Sequence, residues 1–318
     1  MNILVTGGAG FIGSIITRKM LEEGHQVTVV DDLRTGNKDA IPDGAKLFVG
    51  DFANTDIFRH AIKDKIDVVI HTAASMSPTI SLREPMEYFT NNLKKSIELL
   101  NWAVNSGVHK FIFSSSACTY GIPAKSPVAE EDAYYGVTPY GDTKLNFECI
   151  MEWYNRAYNI SCVAFRYFNV AGAVGDIGPD KPFNSGVIPI MLKSILTGKL
   201  VQLFGTDYNT PDGTCVRDYI HVGDIADAYP LVLGNVQGSF NLGSGKGHSL
   251  KELAAVIREV TGKDVLVEYA GRRLGDPDSL IADVAKSTTV LAWKPEKSGI
   301  ENIIRDTWEW MSHREEVK

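Results

Sequence analysis

The sequence predicts an α/β fold, a doubly wound parallel sheet with a smaller C-terminal α/β part. Three observations predict it. Hydrophobic strands alternate with helical patterns through the first half of the chain. A glycine-rich loop joins the first strand to the first helix, and polar or small residues recur where successive strands end.

Asn2 to Thr6 is aliphatic and β-branched, as a short buried strand requires. Gly7-Gly8-Ala9-Gly10-Phe11-Ile12-Gly13 follows, and then Ile15, Ile16, Met20 and Leu21 recur at helical spacing. Gly7, Gly10 and Gly13 fit a G-x-x-G-x-x-G spacing, which lets the backbone and the helix N-terminus approach a pyrophosphate. Gln26 to Val30 is a second strand and ends in Asp31-Asp32. An acid about 20 residues after such a loop completes the dinucleotide-binding context, so this half is read as Rossmann-type. A carboxylate there can bond ribose hydroxyls and repels the extra phosphate of NADP. Asp31 therefore points to NAD, and it outweighs the opposite signal from Arg34.

The next strand, 45–49, ends at Gly50-Asp51-Phe52, and 67–71 runs into Thr72-Ala73-Ala74. A long helix is expected after Asn91-Asn92, ending near Gly107. The fifth strand, 110–114, ends in Ser114-Ser115-Ser116. A helix carrying Tyr140 and Lys144 then runs to about Tyr158, and a sixth strand, 161–165, ends at Arg166-Tyr167-Phe168-Asn169. Ligands of such sheets bind beyond the carboxyl ends of the strands, where Asp31, Asp51, Ala73, Ser116 and Asn169 fall. After Asn169 the alternation breaks. Residues 171–187 are rich in Gly, Pro and Asp, and short strands (200–204, 265–269) then mix with short helices (250–260, 300–311). The expected organisation is a dinucleotide-binding domain over 1–168 with a return segment at about 214–242. A substrate-binding lid would comprise 169–213 and 243–318.

A chain of 318 residues can bury a substantial core, and its net charge of -7 argues against general nucleic-acid binding. Cys118, Cys149, Cys162 and Cys215 are scattered and the histidines do not cluster, so no metal-ligand spacing is present. The first strand begins at residue 2, which leaves no room for a signal peptide, and no apolar run reaches a transmembrane length. These features lead to the expectation of a cytoplasmic small-molecule enzyme, with no nucleic-acid or membrane partner.

Tyr140 and Lys144 stand four residues apart in Pro139-Tyr140-Gly141-Asp142-Thr143-Lys144, so on a helix they share a face. A free phenol titrates near a pKa of about 10. A neighbouring ammonium favours the phenolate and is expected to lower that value towards the range of a general base.

The glycine loop, Asp31, the Ser116/Tyr140/Lys144 set and Arg166-Tyr167-Phe168-Asn169 together resemble the extended short-chain dehydrogenase/reductases, essentially end to end. Ser114-Ser115-Ser116-Ala117-Cys118-Thr119-Tyr120-Gly121, Val216-Arg217-Asp218-Tyr219-Ile220-His221-Val222 and Phe240-Asn241-Leu242-Gly243-Ser244-Gly245 are similar to the nucleotide-sugar 4-epimerases among them. The resemblance implies NAD-dependent epimerisation at C4 of a UDP-hexose through a 4-keto sugar. Tyr140 would be the base, Lys144 would lower its pKa and bond the nicotinamide ribose, and Ser116 would hold the reacting oxygen. Cofactor contacts are implied for Gly7, Gly10, Phe11, Ile12, Gly13, Asp31, Asp32, Gly36, Asp51, Phe52, Thr72, Ala73, Ala74, Asn91, Ser114, Tyr167 and Phe168, besides Tyr140 and Lys144. Asn91 would do so from a helix start. The UDP-sugar would be held by Asn169, Arg217, Arg273, Asp276 and Leu280, with Ser116 and Tyr140 at the sugar; a fork of guanidinium donors suits a diphosphate. A homodimer paired through the helix after Asn91 and residues 146–158 is also implied.

Two positions depart from the family pattern. Met76 stands where some members carry a cofactor-contacting lysine, and Leu280, of intermediate size, leaves N-acetylated sugars open. A 4-epimerase of a uronic acid or pentose sugar is a further alternative. A 4,6-dehydratase would place Asp-Glu directly after the active-site hydroxyl, where this chain has Ala117-Cys118. A non-catalytic dinucleotide sensor would typically lack the Tyr or the Lys.

Overall fold

The computed structural model describes residues 1–54, 56, 62, 65–132, 136–179, 186–273 and 275–315. Its contacts divide the chain into two units. One holds Met1–Gly121, Tyr135–Arg166 and Ala226–Phe240; the other holds Ile122–Tyr134, Tyr167–Ile225 and Asn241–Lys318.

In the first unit the buried aliphatic runs become strands. These are β1 (Asn2–Thr6), β2 (Gln26–Asp31), β3 (Lys46–Val49), β4 (Val68–His71), β5 (Lys110–Ser116) and β6 (Ser161–Tyr167). With β7 (Asn169–Ala171), β8 (Val201–Phe204) and β9 (Val216–His221) following in the chain, β10 (Gly238–Leu242) completes a seven-stranded sheet. Its order is β10-β6-β5-β4-β1-β2-β3, and neighbours from β3 through β5 are all parallel. The order reverses beside β1, between β1 and β4, which is where such sheets open a crevice for ligands. Leu4, Val69, Phe111 and Phe113 of the strands pack with Leu99, Leu100 and Phe147 of the covering helices.

The observed β5 runs to Ser116 rather than ending at 114, so the whole serine run is strand. The helix expected to follow Asn91-Asn92 starts earlier. Pro85 opens it at a first-turn position that needs no N–H. Residues Phe89–Lys94 then form a π-helical turn, and Lys95–Asn105 continues as α-helix. Asn91 is thus inside a continuous helical run and not at its start.

In the second unit β9 is flanked by β7 and β13 (Ser279–Leu280), both parallel, and by β11 (Gly247–Ser249), antiparallel. A separate parallel pair joins β8 to β12 (Val267–Ala270). Helix Leu250–Thr261 begins with a capping box between Ser249 and Glu252 and ends at Gly262 in the left-handed region. Its Leu253 and Ile257 pack with Met191, Leu192, Ile303 and Ile304 from the two other long helices. Among the described residues no helix is long and apolar enough to cross a membrane.

Candidate active site

The glycine loop is tight for steric reasons. Gly7 has φ +75°, and a Cβ there would meet the backbone nitrogen of Ala73 at 2.6 Å. At Gly13 a Cβ would sit 2.2 Å from the Gly7 carbonyl oxygen. Gly10 caps the helix Phe11–Glu22 without a side chain, and the first turn, with Phe11 and Ile12, carries no acid. That helix start therefore carries neither a side-chain cap nor an acid of its own against its positive dipole end.

The end of β2 is built around Asp31, whose carboxylate accepts from the Ala9 N–H (3.0 Å) and the Leu33 N–H (2.9 Å). Burial pushes its pKa up, and the two backbone donors oppose that. Gly36 closes over it, since a Cβ there would lie 2.8 Å from an Asp31 oxygen. Asp32 accepts from the Arg34 N–H at 3.0 Å, and the Arg34 guanidinium reaches Asp32 and Glu87 at 3.9 and 3.8 Å. The residue that spoke for NADP thus already faces two acids.

Beyond β3 and β4, Asp51 is paired with Lys95 and Phe52 is buried, its ring 5.0 Å from that of His71. Thr72 donates to the Thr6 carbonyl at 2.7 Å, which seats Thr72 and Ala73 beside the glycine loop, with Ala74 next in the chain. Asn91 donates to the Ser75 hydroxyl at 3.2 Å. Its neighbour Asn92, which the sequence reading passed over, accepts from the Ser75 N–H at 2.8 Å and donates to the Ser75 carbonyl at 2.9 Å. An amide pair inside a helical stretch was the only signal for it. Met76 is exposed.

The helix Pro139–Tyr158 begins at Thr138, whose hydroxyl accepts from the Gly141 N–H, with Pro139 in the first turn. Gly141 is needed because a Cβ would meet the Cys118 carbonyl at 2.6 Å. This close seating sets a row of helix side chains against the serine run of β5. The Ser116 hydroxyl lies near enough to Tyr140 to favour its phenolate. Lys144 donates to the Ser114 carbonyl at 2.7 Å, and Ser115 donates to Glu148. The Ser114 hydroxyl instead meets the Tyr229 hydroxyl at 3.1 Å.

The electrostatics differ from the sequence expectation in one respect. Tyr140 has its pKa raised, not lowered, chiefly by burial and then by Cys118, against the opposing influence of the Ser116 hydroxyl. Lys144 is pushed down to about 7 by burial, opposed by Glu148 and Cys118. Spacing places the two groups together, but both are also taken out of water, which disfavours the charged form of each. The Lys144 ammonium also lies 4.6 Å from the centre of the Phe113 ring.

The second unit gathers the residues assigned to the nucleotide. Arg217 is buried on β9, 3.6 Å from Asp276, and is paired in register with Leu280 of β13. Arg273 stacks over Phe204 with its guanidinium carbon 4.0 Å from the ring centre. Arg217, Asp276 and Arg273 all act on buried Cys215, which places them in one neighbourhood. Asn169 is opposite Tyr219 in the β7–β9 register, while Tyr167 and Phe168 are buried, the Phe168 N–H donating to the Leu242 carbonyl at 3.1 Å.

The chain's likeness to known proteins agrees with this geometry. Residues 3–243 match the model of the NAD dependent epimerase/dehydratase family. A curated UDP-glucose 4-epimerase of Streptococcus mutans is 44% identical, the match covering 98% of this chain and 97% of that protein. A crystal structure of a UDP-glucose 4-epimerase superposes with a TM-score of 0.94 at 40% identity, covering 99% of this chain and 98% of that one. The Bifidobacterium longum UDP-glucose 4-epimerase, solved with NAD+ and UDP, gives 0.93 at 33% identity with 99% of each covered. The chain belongs to the NAD-dependent epimerase/dehydratase family, and its full-length likeness is to the UDP-glucose 4-epimerases within it.

Proposed function

We propose that this protein interconverts UDP-glucose and UDP-galactose by epimerisation at C4, with NAD as its resident cofactor. The observation that carries the reading is the Tyr140–Lys144 row set against Ser116 and Ser114 at the end of β5. The family match and the NAD- and UDP-bound Bifidobacterium longum relative support it.

The residues present fit a dinucleotide. An uncapped helix start with no acid in its first turn suits a diphosphate, and the glycines at 7 and 13 leave backbone where a side chain would stand. Asp31 suits an adenosine ribose, and Gly36, Asp32, Asp51, Phe52, Thr72, Ala73, Ala74, Asn91, Tyr167 and Phe168 are assigned to the same group. NAD supplies a positively charged, reversible hydride acceptor for C4.

Tyr140 takes the proton of the sugar 4-hydroxyl and later returns it to the same oxygen. Ser116, beside Tyr140, holds that oxygen in line for the transfer. Lys144 offsets the burial that otherwise keeps the phenol protonated, by presenting an ammonium one helical turn away. Arg217 and Arg273 hold the diphosphate, Asp276 orients Arg217, and Asn169 and Leu280 line the sugar end. Ala117 and Cys118 follow the active-site hydroxyl, so the pair of carboxylates a dehydratase places there is missing.

A homodimer in the cytoplasm completes the proposal. Trp153 and Tyr158 are 66% and 60% exposed on the helical segment 146–158 assigned to the interface, and apolar surface of that kind favours a partner. Light scattering at micromolar concentration tests it, and a monomer would count against it.

The activity is tested by incubating the purified protein with UDP-galactose and no added NAD, then separating the nucleotide sugars and weighing them. Conversion to UDP-glucose at unchanged mass is expected. A product lighter by one water would instead mean a dehydratase.

A further inference from the structure

The helix row does not stop at Lys144. One turn on, Glu148 is buried and lies on the same face as Tyr140 and Lys144. Four donors converge on its carboxylate. Arg166 of β6 gives Nε at 3.2 and 3.1 Å to the two oxygens and Nη2 at 2.7 Å to Oε2. Ser239 donates to Oε2 at 3.0 Å, and Ser115 donates to Oε1. Arg166 is itself fixed by donating to the Tyr120 hydroxyl at 2.9 Å, with its guanidinium carbon 5.0 Å from the centre of that ring.

An ion pair used only for packing could lie anywhere in the core. This one is in series with the reacting groups, because the serine run of β5 faces the whole row: the Ser114 carbonyl bonds Lys144, Ser115 bonds Glu148, and the Ser116 hydroxyl acts on Tyr140. Lys144 otherwise bonds a neutral carbonyl and stacks on Phe113, neither of which carries a compensating charge.

We propose that Glu148 is a positioning residue for the reaction: held by Arg166, Ser115 and Ser239, it is the anion that keeps Lys144 protonated, and Arg166 sets how much of that negative charge Lys144 feels. The inference rests on the reading of Lys144 as the cation that acidifies Tyr140. The charged or titratable groups facing Lys144 are Glu148 and Tyr140 on its own helix, Cys118 after β5 and His71 on β4. Of these only Glu148 carries a carboxyl group. Burial pushes Lys144 down to about 7, and Glu148 is the largest influence in the opposite direction.

The two ends of the ion pair therefore act on Lys144 with opposite sign. Glu148→Gln removes the anion and leaves the Arg166 charge, so Lys144 should lose its proton at lower pH, by about one pH unit or more. Arg166→Met exposes Lys144 to an unshared carboxylate and should move that titration upward. Glu148→Asp keeps the charge and should restore most of the wild-type value.

The test is a pH titration of the Lys144 ε-carbon by NMR in holoenzyme labelled with 13C-lysine, assigned with Lys144→Met, beside the pH profile of kcat. Shifts of opposite direction in the Gln and Met variants support the inference. Shifts in the same direction, or none, overturn it. If the Gln variant does not accumulate folded, the Met variant decides alone, by moving the titration upward or failing to. Should the Lys144 titration move while the alkaline limb of kcat stays in place, Glu148 retains its role and the reading of Lys144 as the acidifying cation is the one that fails.

Discussion

Lys144 reaches across from its helix to donate to the Ser114 carbonyl at 2.7 Å, and by doing so is held one turn beyond Tyr140. The bond is to a neutral oxygen, so it fixes where the ammonium sits without neutralising it. In the proposed reaction that charge acts on the phenol, which burial pushes toward its protonated form.

Replacing Tyr140 by Phe tests this directly. The ring is buried and packs edge-on to Tyr88, with centres 6.3 Å apart, and those contacts survive loss of the hydroxyl. The variant should fold and retain NAD, measured by absorbance after release, while kcat falls by about 10²–10⁴-fold, the scale of a lost general base. Near-normal turnover would remove Tyr140 from that role.

Gly13→Ala should fail differently. The added methyl would lie 2.2 Å from the Gly7 carbonyl oxygen and 2.8 Å from the Thr72 hydroxyl, and the first of these is backbone that cannot swing aside. The loop must open, at a cost of about 3 kcal/mol by the usual scale of overpacking. NAD content of the purified variant should drop with the melting temperature. A variant that kept both would show that the loop tolerates a shift the geometry forbids.

How far these features were legible in the sequence follows from how local they are. The glycine loop and the Tyr140–Lys144 pair are spacings within one element or one turn, so the sequence shows them and the folded chain keeps them together. Glu148 continues the same spacing, yet its meaning depends on Arg166 of β6 and Ser239 of β10, which only the sheet order brings to it. The direction of the Tyr140 pKa was misread for a related reason: the neighbouring lysine is visible in the sequence, but the depth of burial is set by elements far away in the chain. Asn91 was placed at a helix start because polar pairs often cap helices, whereas Pro85 had already opened the helix upstream. The Arg217–Asp276 contact depends on the loop before β13 returning beside β9, and no periodicity foretells it.

Arg217→Ala should separate binding from chemistry. The guanidinium is buried, donates to the Val216 carbonyl at 2.8 Å and is 3.6 Å from Asp276, so its position is fixed in advance of a ligand. Loss of a charge-assisted contact worth about 1.5–3 kcal/mol should raise KM for UDP-galactose by about 10- to 100-fold. The Kd for UDP, read by calorimetry, should rise in parallel. An unchanged Kd would take Arg217 out of the diphosphate site.

His71 gives a pH dependence of stability whose sign the surroundings fix. The Ser96 hydroxyl donates to the Asn92 carbonyl at 2.7 Å, so toward His71 Nε2, 2.8 Å away, it is the acceptor and that nitrogen carries the proton. Nδ1 then accepts from the Thr6 hydroxyl at 2.7 Å, and the neutral ring is fully bonded. Phe52, Phe111, Phe113 and Phe147 surround it, and burial, with the nearby Lys144 charge, pushes its pKa down to about 3. An unfolded chain protonates this histidine below about 6.5 while the folded chain does not, so between those values the unfolded state binds more protons and stability falls as the pH drops. The contribution is about 1.4 kcal/mol per pH unit once below the unfolded value. Urea midpoints measured from pH 7 down to about 5 should therefore decline more steeply for the wild type than for His71→Gln, which cannot titrate. Parallel declines would mean that the imidazole takes up its proton without unfolding, and that the aromatic enclosure does not exclude the charge.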